Sequence, residues 1–131
     1  MKRWLVLIPF CFALLSFNLA TSLKGVWIFQ GGVYNGKAEG PPKEYKLQRN
    51  YTDKDFTAYA YQKGYKTEKY EAGNYTLKAD SCLETQTFSS QPSQAMGKTI
   101  HYNYKIINGE LILSGTLPSG MVVEEHWKKI K

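Results

Sequence analysis

The sequence predicts an all-β fold: an antiparallel meander of about eight strands, closed or nearly closed into a barrel. Three observations carry this. Beyond the amino-terminal apolar run no segment keeps helical spacing, period-two alternation recurs along the chain, and turn-forming pairs punctuate it at short intervals. Closure follows from size. A chain of 131 residues can ill leave several long strand edges open, because unpaired backbone donors and acceptors invite pairing with other chains. A closed sheet of about eight strands either fills with its own side chains or holds one small ligand.

The elements follow in order. LKGVWIF, from Leu23 to Phe29, reads as the first strand. YNGKAEGPPKE concentrates Asn35-Gly36, Gly40 and Pro41-Pro42, and is expected to be an irregular loop at a barrel end. Strand structure resumes from Glu44 to Asn50. In DFTAYAYQ, residues Phe56, Ala58, Ala60 and Gln62 share one side and Thr57, Tyr59 and Tyr61 the other. Both sides are half apolar, so alternation leaves open which one faces inward. Gly64 and Gly73 bracket a charged turn and short strand. GNYTLKAD and SCLETQTF supply two more strands around a turn near Asp80, and SSQPSQAMG is a polar loop. Lys98 to Ile107 alternates with Tyr102, Tyr104 and Ile106 on one face, and Asn108-Gly109 is the strongest local signal for a two-residue hairpin into Glu110 to Gly115. After the turn at Pro118-Ser119-Gly120, a closing strand from Met121 to Ile130 places Met121, Val123, Glu125 and Trp127 on one face and Val122, Glu124, His126 and Lys128 on the other.

The first twenty or so residues stand apart. Lys2 and Arg3 precede WLVLIPFCFALLSF, and small residues follow at Ala20 and Ser22, the pattern of a secretory signal peptide over residues 1–20 with cleavage after 20 or 22. The apolar run is short for a membrane span and is broken by Pro9, which ranks an uncleaved anchor second. Ile8, Pro9 and Phe10 lack the small residue expected before a lipid-bearing Cys11. Residues 21–131 then form a single domain, exported to a periplasm or to the extracellular space and not membrane-spanning. Its 15 Lys and Arg against 11 Asp and Glu leave a charge of +4, a surplus that suits solubility better than nucleic-acid binding. Apolar residues at 43% and charged residues at 21% exclude wholesale disorder. Cys82 remains alone, so no internal disulfide can form.

LKGVWIF, DFTAYAY, GNYTL and HYNYKIINGELILSG followed by EEHWKKI together resemble the small lipocalin-like domains of secreted bacterial proteins, in particular an uncharacterised Bacteroidetes group within the calycin-like barrels. The similarity covers nearly all of residues 21–131. It implies a meandering barrel whose first strand carries a Gly-x-Trp near the closed end, here Gly25 and Trp27. A basic residue of the last strand, Lys128 or Lys129, would lie over that tryptophan where lipocalins usually place Arg. It also implies, weakly, binding of small apolar molecules.

Candidate site residues are weighed against plainer roles. Trp27 and Trp127 read as core residues sealing the barrel where first and last strands pair, or as pocket wall. Ten tyrosines supply large apolar bodies with polar tips, and Tyr59, Tyr61, Tyr75, Tyr102 and Tyr104 are the candidate cavity wall, with Glu125 added because its strand parity matches Trp127. An acid–base reading enlists Glu84, Glu125 and His101 or His126. His101 and His126 with one cysteine lack a close-spaced ligand pair, so neither a metal nor another cofactor is expected. Cys82 reads as a small buried strand residue or a surface thiol before it reads as a nucleophile. Lys63, Lys66 and Lys69, interrupted by Glu68 and interleaved with Tyr65, read as a solvated hairpin. Asn50-Tyr51-Thr52 and Asn74-Tyr75-Thr76 match the glycan-acceptor pattern and, in a bacterial setting, read as inert.

The leading expectation is a non-enzymatic barrel that binds a small apolar or amphipathic molecule. The alternatives are an interaction domain with a fully packed core, and a small hydrolase or isomerase using Glu125 and a histidine. A continuous pocket above roughly 300 Å³ separates the first from the second.

Overall fold

A computed structural model describes residues 20–131. The expected signal peptide with Cys11, and the expected cleavage site after residue 20, therefore fall outside the described residues in whole or in part. No helix among the described residues is long and apolar enough to cross a membrane.

Nine strands form one antiparallel sheet: β1 (Gly25–Tyr34), β2 (Lys37–Glu39), β3 (Lys46–Tyr51), β4 (Asp55–Tyr61), β5 (Glu68–Lys78), β6 (Ser81–Ser89), β7 (Thr99–Ile107), β8 (Glu110–Thr116) and β9 (Val122–Lys129). Each strand from β3 to β9 pairs with the next, β3 pairs with the first half of β1, and β9 pairs back onto β1 from Trp27 to Tyr34. Eight strands thus close a barrel of lipocalin-like up-and-down topology. The ninth, β2, pairs only with the second half of β1, beyond the point where β3 ends.

The first strand, expected from Leu23 to Phe29, runs on to Tyr34, and β2 falls inside YNGKAEGPPKE, expected to be an irregular loop. Gly31-Gly32 does not end the strand. A Cβ on Gly31 would lie 2.6 Å from the Glu39 carbonyl oxygen and one on Gly32 2.3 Å from that of Glu124. Glycine here lets β1 bend through a bulge between Phe29 and Gly31 while β2 and β9 close on its two sides. Asn35-Gly36 then turns the β1–β2 hairpin with both residues at positive φ, the geometry that recurs at Asn108-Gly109. The two pieces expected around Gly73 are one strand, β5. Gly73 pairs with Gln86 just after a bulge and lies beneath the Phe56 ring.

The barrel is packed at one end and hollow toward the other. Its base is sealed by Leu23, Trp27, Tyr51, Phe56, Tyr75 and Tyr104, all buried. The polar tips are satisfied there: Trp27 Nε1 donates to the Leu23 carbonyl at 2.8 Å, Leu23 N–H donates to the Tyr75 hydroxyl at 2.9 Å, and that hydroxyl donates to the Thr52 carbonyl. Residues 20–23 are thereby tied into the base as a plug, with the Tyr104 hydroxyl donating to the Ala20 carbonyl at 3.3 Å. Lys129 Nζ lies 5.8 Å from the centre of the Trp27 ring, so Lys129 rather than Lys128 supplies the cation that the resemblance implies.

Candidate binding cavity

The upper half of the barrel encloses a cavity of about 320 Å³. Phe29, Ile100, Tyr102, Val123 and Trp127 give it a buried, largely apolar floor and wall. Tyr34, Leu47, Tyr70, Ser93, Ala95 and Leu117 are half-buried and mark its outer margin. Strand parity explains this set. Leu47, Arg49 and Tyr51 alternate inward on β3, Ile100, Tyr102 and Tyr104 on β7, and Val123, Glu125 and Trp127 on β9, each descending from the margin toward the base or rising from it. Ser93 and Ala95 come from the β6–β7 loop. Its Ser93 hydroxyl donates to Gln86 Oε1, and Gly97 N–H donates to the Gln86 carbonyl at 2.8 Å, fixing the loop over the cavity.

A charged cluster stands among these apolar walls. The Arg49 guanidinium forks onto Glu84, with Nη1 3.1 Å from Oε2 and Nη2 3.0 Å from Oε1. Nη2 also reaches Glu71 Oε1 at 2.6 Å and Nη1 the Tyr51 hydroxyl at 2.8 Å. Phe56 and Trp127 lie at 4.6 and 5.2 Å from the guanidinium carbon, so aromatic rings cover much of the remaining surface of the cation. Gln86 Nε2 donates to the second oxygen of Glu71 at 2.8 Å. Arg49 Nε and Trp127 Nε1 have no partner.

Burial and charge set the protonation behaviour. Burial works against the charge on Arg49, yet Glu84, Tyr51 and Glu71 outweigh it and hold the guanidinium more firmly protonated than usual. Burial pushes the Glu84 carboxyl above the ordinary carboxylate range, with Arg49 opposing the shift. Glu125 is displaced the same way, chiefly by burial, with Arg49 again opposing and Glu71 adding to it. Burial pushes Tyr70 up to about 12 and raises Tyr34 and Tyr102 further. None of these three tyrosines offers a phenolate near neutrality.

The residues expected to line a cavity separate into three groups. Tyr102, Glu125 and Trp127 line it. Trp27, Tyr75 and Tyr104 lie in the packed base instead. Tyr59 and Tyr61 take the outer face of β4, their rings 6.2 Å apart, because Phe56 and Ala58 are the inward pair. Sequence reasoning missed Arg49, Glu71, Tyr34, Tyr70 and Gln86. A signal for Arg49 existed, since it shares strand parity with Leu47 and Tyr51 in KLQRNY.

The hydrolase or isomerase reading requires a histidine beside Glu125, and the fold separates them. His126 alternates outward, beside Glu110 and Glu124, and His101 is exposed against the Ser81 hydroxyl at 2.8 Å. Glu125 points into the barrel. Cys82 is fully buried, and burial pushes its thiol up to about 12, which leaves it unreactive as a nucleophile. The described residues bring together no group of three or more His, Cys, Asp or Glu placed to hold a metal ion.

A closed β-barrel with a packed base and a walled interior cavity defines a lipocalin-like, or calycin-like, architecture. No family model matches the chain, and no curated protein is significantly similar to it. Among solved structures it is similar to a mutant of the fluorescent protein UnaG, with 15% identity, a TM-score of 0.42, and coverage of 83% of this chain and 96% of that one. The assignment of architecture rests on the strand pairing of the chain itself.

Proposed function

We propose that this protein is a non-enzymatic carrier or receptor for one small amphipathic molecule held in the upper barrel, acting outside the bacterial cytoplasm once residues 1–20 are removed. The cavity carries this reading. At about 320 Å³ it lies within the range of small-molecule sites and above the volume separating a binder from a packed core, and its apolar walls converge on a few polar groups. Export is supported by the leader-like residues 1–20, and the bacterial setting by the resemblance of the strand motifs.

The test is titration with N-phenyl-1-naphthylamine, a neutral apolar fluorophore whose emission rises in apolar surroundings. Saturable binding at one molecule per chain is expected, and Ile100→Trp, which drives an indole into the cavity, should abolish it. Absence of saturable binding, or binding indifferent to Ile100→Trp, would show that the cavity is not the site.

A further inference from the structure

We propose that the cavity selects amphipathic molecules with a cationic head, an alkyl- or arylammonium group, which pairs with Glu125. The inference rests on the reading above and specifies the chemical class of its ligand.

The charges inside the barrel are unevenly matched. Three carboxyl groups line the cavity, Glu71, Glu84 and Glu125, against one cation, Arg49, and no Lys or His lines it among the described residues. Arg49 is committed. Its two terminal nitrogens make four contacts with Glu84, Glu71 and Tyr51, and its faces lie against aromatic rings. An incoming carboxylate or phosphate would therefore meet a guanidinium whose two terminal nitrogens are already taken, with only Nε–H left, and would face the three lining carboxyl groups. Glu84 and both oxygens of Glu71 are likewise occupied, by Arg49 and by Gln86.

Glu125 differs from the other two carboxyls. Among the described residues its side chain makes one hydrogen bond, a long one of 3.4 Å from the Tyr34 hydroxyl to Oε2, and no cation contacts it. It nevertheless lies on the inward face of β9, between Val123 and Trp127, and lines the cavity. A half-buried carboxyl that faces the cavity with unused acceptor capacity costs free energy that a ligand donor recovers. Three N–H donors on a primary ammonium suit it, while the ligand's apolar body lies against Phe29, Ile100 and Trp127.

The groups facing Glu125 are known from each side. Tyr34 approaches from β1, and the β8 residue that pairs with Glu125 is the apolar Leu113. Arg49, Tyr70, Glu71, Glu84 and Tyr102 face it across the cavity from β3, β5, β6 and β7. Burial raises the Glu125 carboxyl above its ordinary range in the empty barrel, with Arg49 opposing and Glu71 adding to the shift, and an ammonium head would lower it again. Binding of such a ligand then releases a proton and tightens as pH rises.

Three probes with matched phenyl bodies test this by calorimetry: 2-phenylethylammonium, 2-phenylethanol and 3-phenylpropionate. At pH 8 the ammonium is expected to bind about tenfold or more tightly than the alcohol, the scale of a buried charge-assisted hydrogen bond, and the carboxylate most weakly. Glu125→Gln should bring the ammonium-to-alcohol affinity ratio close to one. Lowering the pH from 8 to 4 should shrink the same ratio in the unaltered protein, which keeps the test decisive if the variant fails to fold. Equal binding of the three probes, preference for the carboxylate, or a ratio indifferent to both Glu125→Gln and pH would overturn the proposal. If neither these probes nor the neutral fluorophore binds, the binding reading itself falls; fluorophore binding without ammonium preference removes only the cationic head.

Discussion

Removing the Arg49 side chain tests the interior most severely. In Arg49→Met the apolar stem is largely preserved, while Glu84, 4% exposed, loses its only partner and Glu71, 22% exposed, keeps Gln86. Breaking a buried ion pair from one side costs about 3–5 kcal/mol because it strands the other charge. Against a typical total of about 5–15 kcal/mol for a small domain, the loss would be visible as a large drop in the urea midpoint. Arg49→Met/Glu84→Gln removes the stranded charge and should recover about 2 kcal/mol or more of it. The penalty of the single variant also carries a sign in pH. Without Arg49 the Glu84 carboxyl moves still higher, so in acid it is protonated and the stranded charge disappears. The destabilisation should be smaller at pH 4 than at pH 8. A midpoint within about 1 kcal/mol of the parent, no recovery in the double variant, or a penalty independent of pH would refute the reasoning.

Further outcomes follow from single contacts. Glu125 has a raised carboxyl, so the folded protein binds more protons than the unfolded chain above the ordinary value of 4.5; its contribution is full below that pH and is lost as pH rises through the folded value. Glu125→Gln should therefore flatten part of the fall in stability between pH 4 and pH 8 seen by urea denaturation, and an unchanged slope would contradict the placement. Gly73→Ala would put a Cβ 2.1 Å from the Thr85 carbonyl oxygen, a backbone clash expected to cost about 2–4 kcal/mol; a melting temperature unchanged within error would show that β5 does not approach β6 as described. Cys82 should resist an aromatic disulfide reagent in native buffer at pH 8 and react promptly in denaturant, and comparable rates would contradict its burial.

Much of the barrel was legible because period-two alternation and Asn-Gly turns are local features. The β7–β8–β9 meander follows residue by residue from Tyr102, Tyr104, Asn108-Gly109, Val123 and Trp127. What local pattern cannot distinguish is a glycine that ends a strand from one that lets another strand approach. Gly31-Gly32 and Gly73 were of the second kind, so the far half of β1, the β2 strand and the continuity of β5 were hidden. The site was legible by face but not by height. Alternation told that Tyr75, Tyr102, Tyr104 and Trp127 share a side with their inward neighbours, while depth along the barrel axis, which separates base from cavity, depends on register with other strands. On β4 both sides carry apolar groups, so Tyr59 and Tyr61 could not be assigned to the outer face from sequence. Arg49 and Glu71 look like ordinary charges in a soluble chain and Glu84 like a lone acid–base candidate, and only the closure of β3, β5 and β6 around one interior turns them into a buried cluster.

The central claim is that the hollow upper barrel holds a small molecule. Native mass spectrometry of the protein purified without denaturation from its own host tests it most directly. The account predicts a single retained nonprotein mass per chain, displaced by 2-phenylethylammonium and absent from Ile100→Trp. A bare chain mass that no fraction of a host small-molecule extract shifts would contradict it.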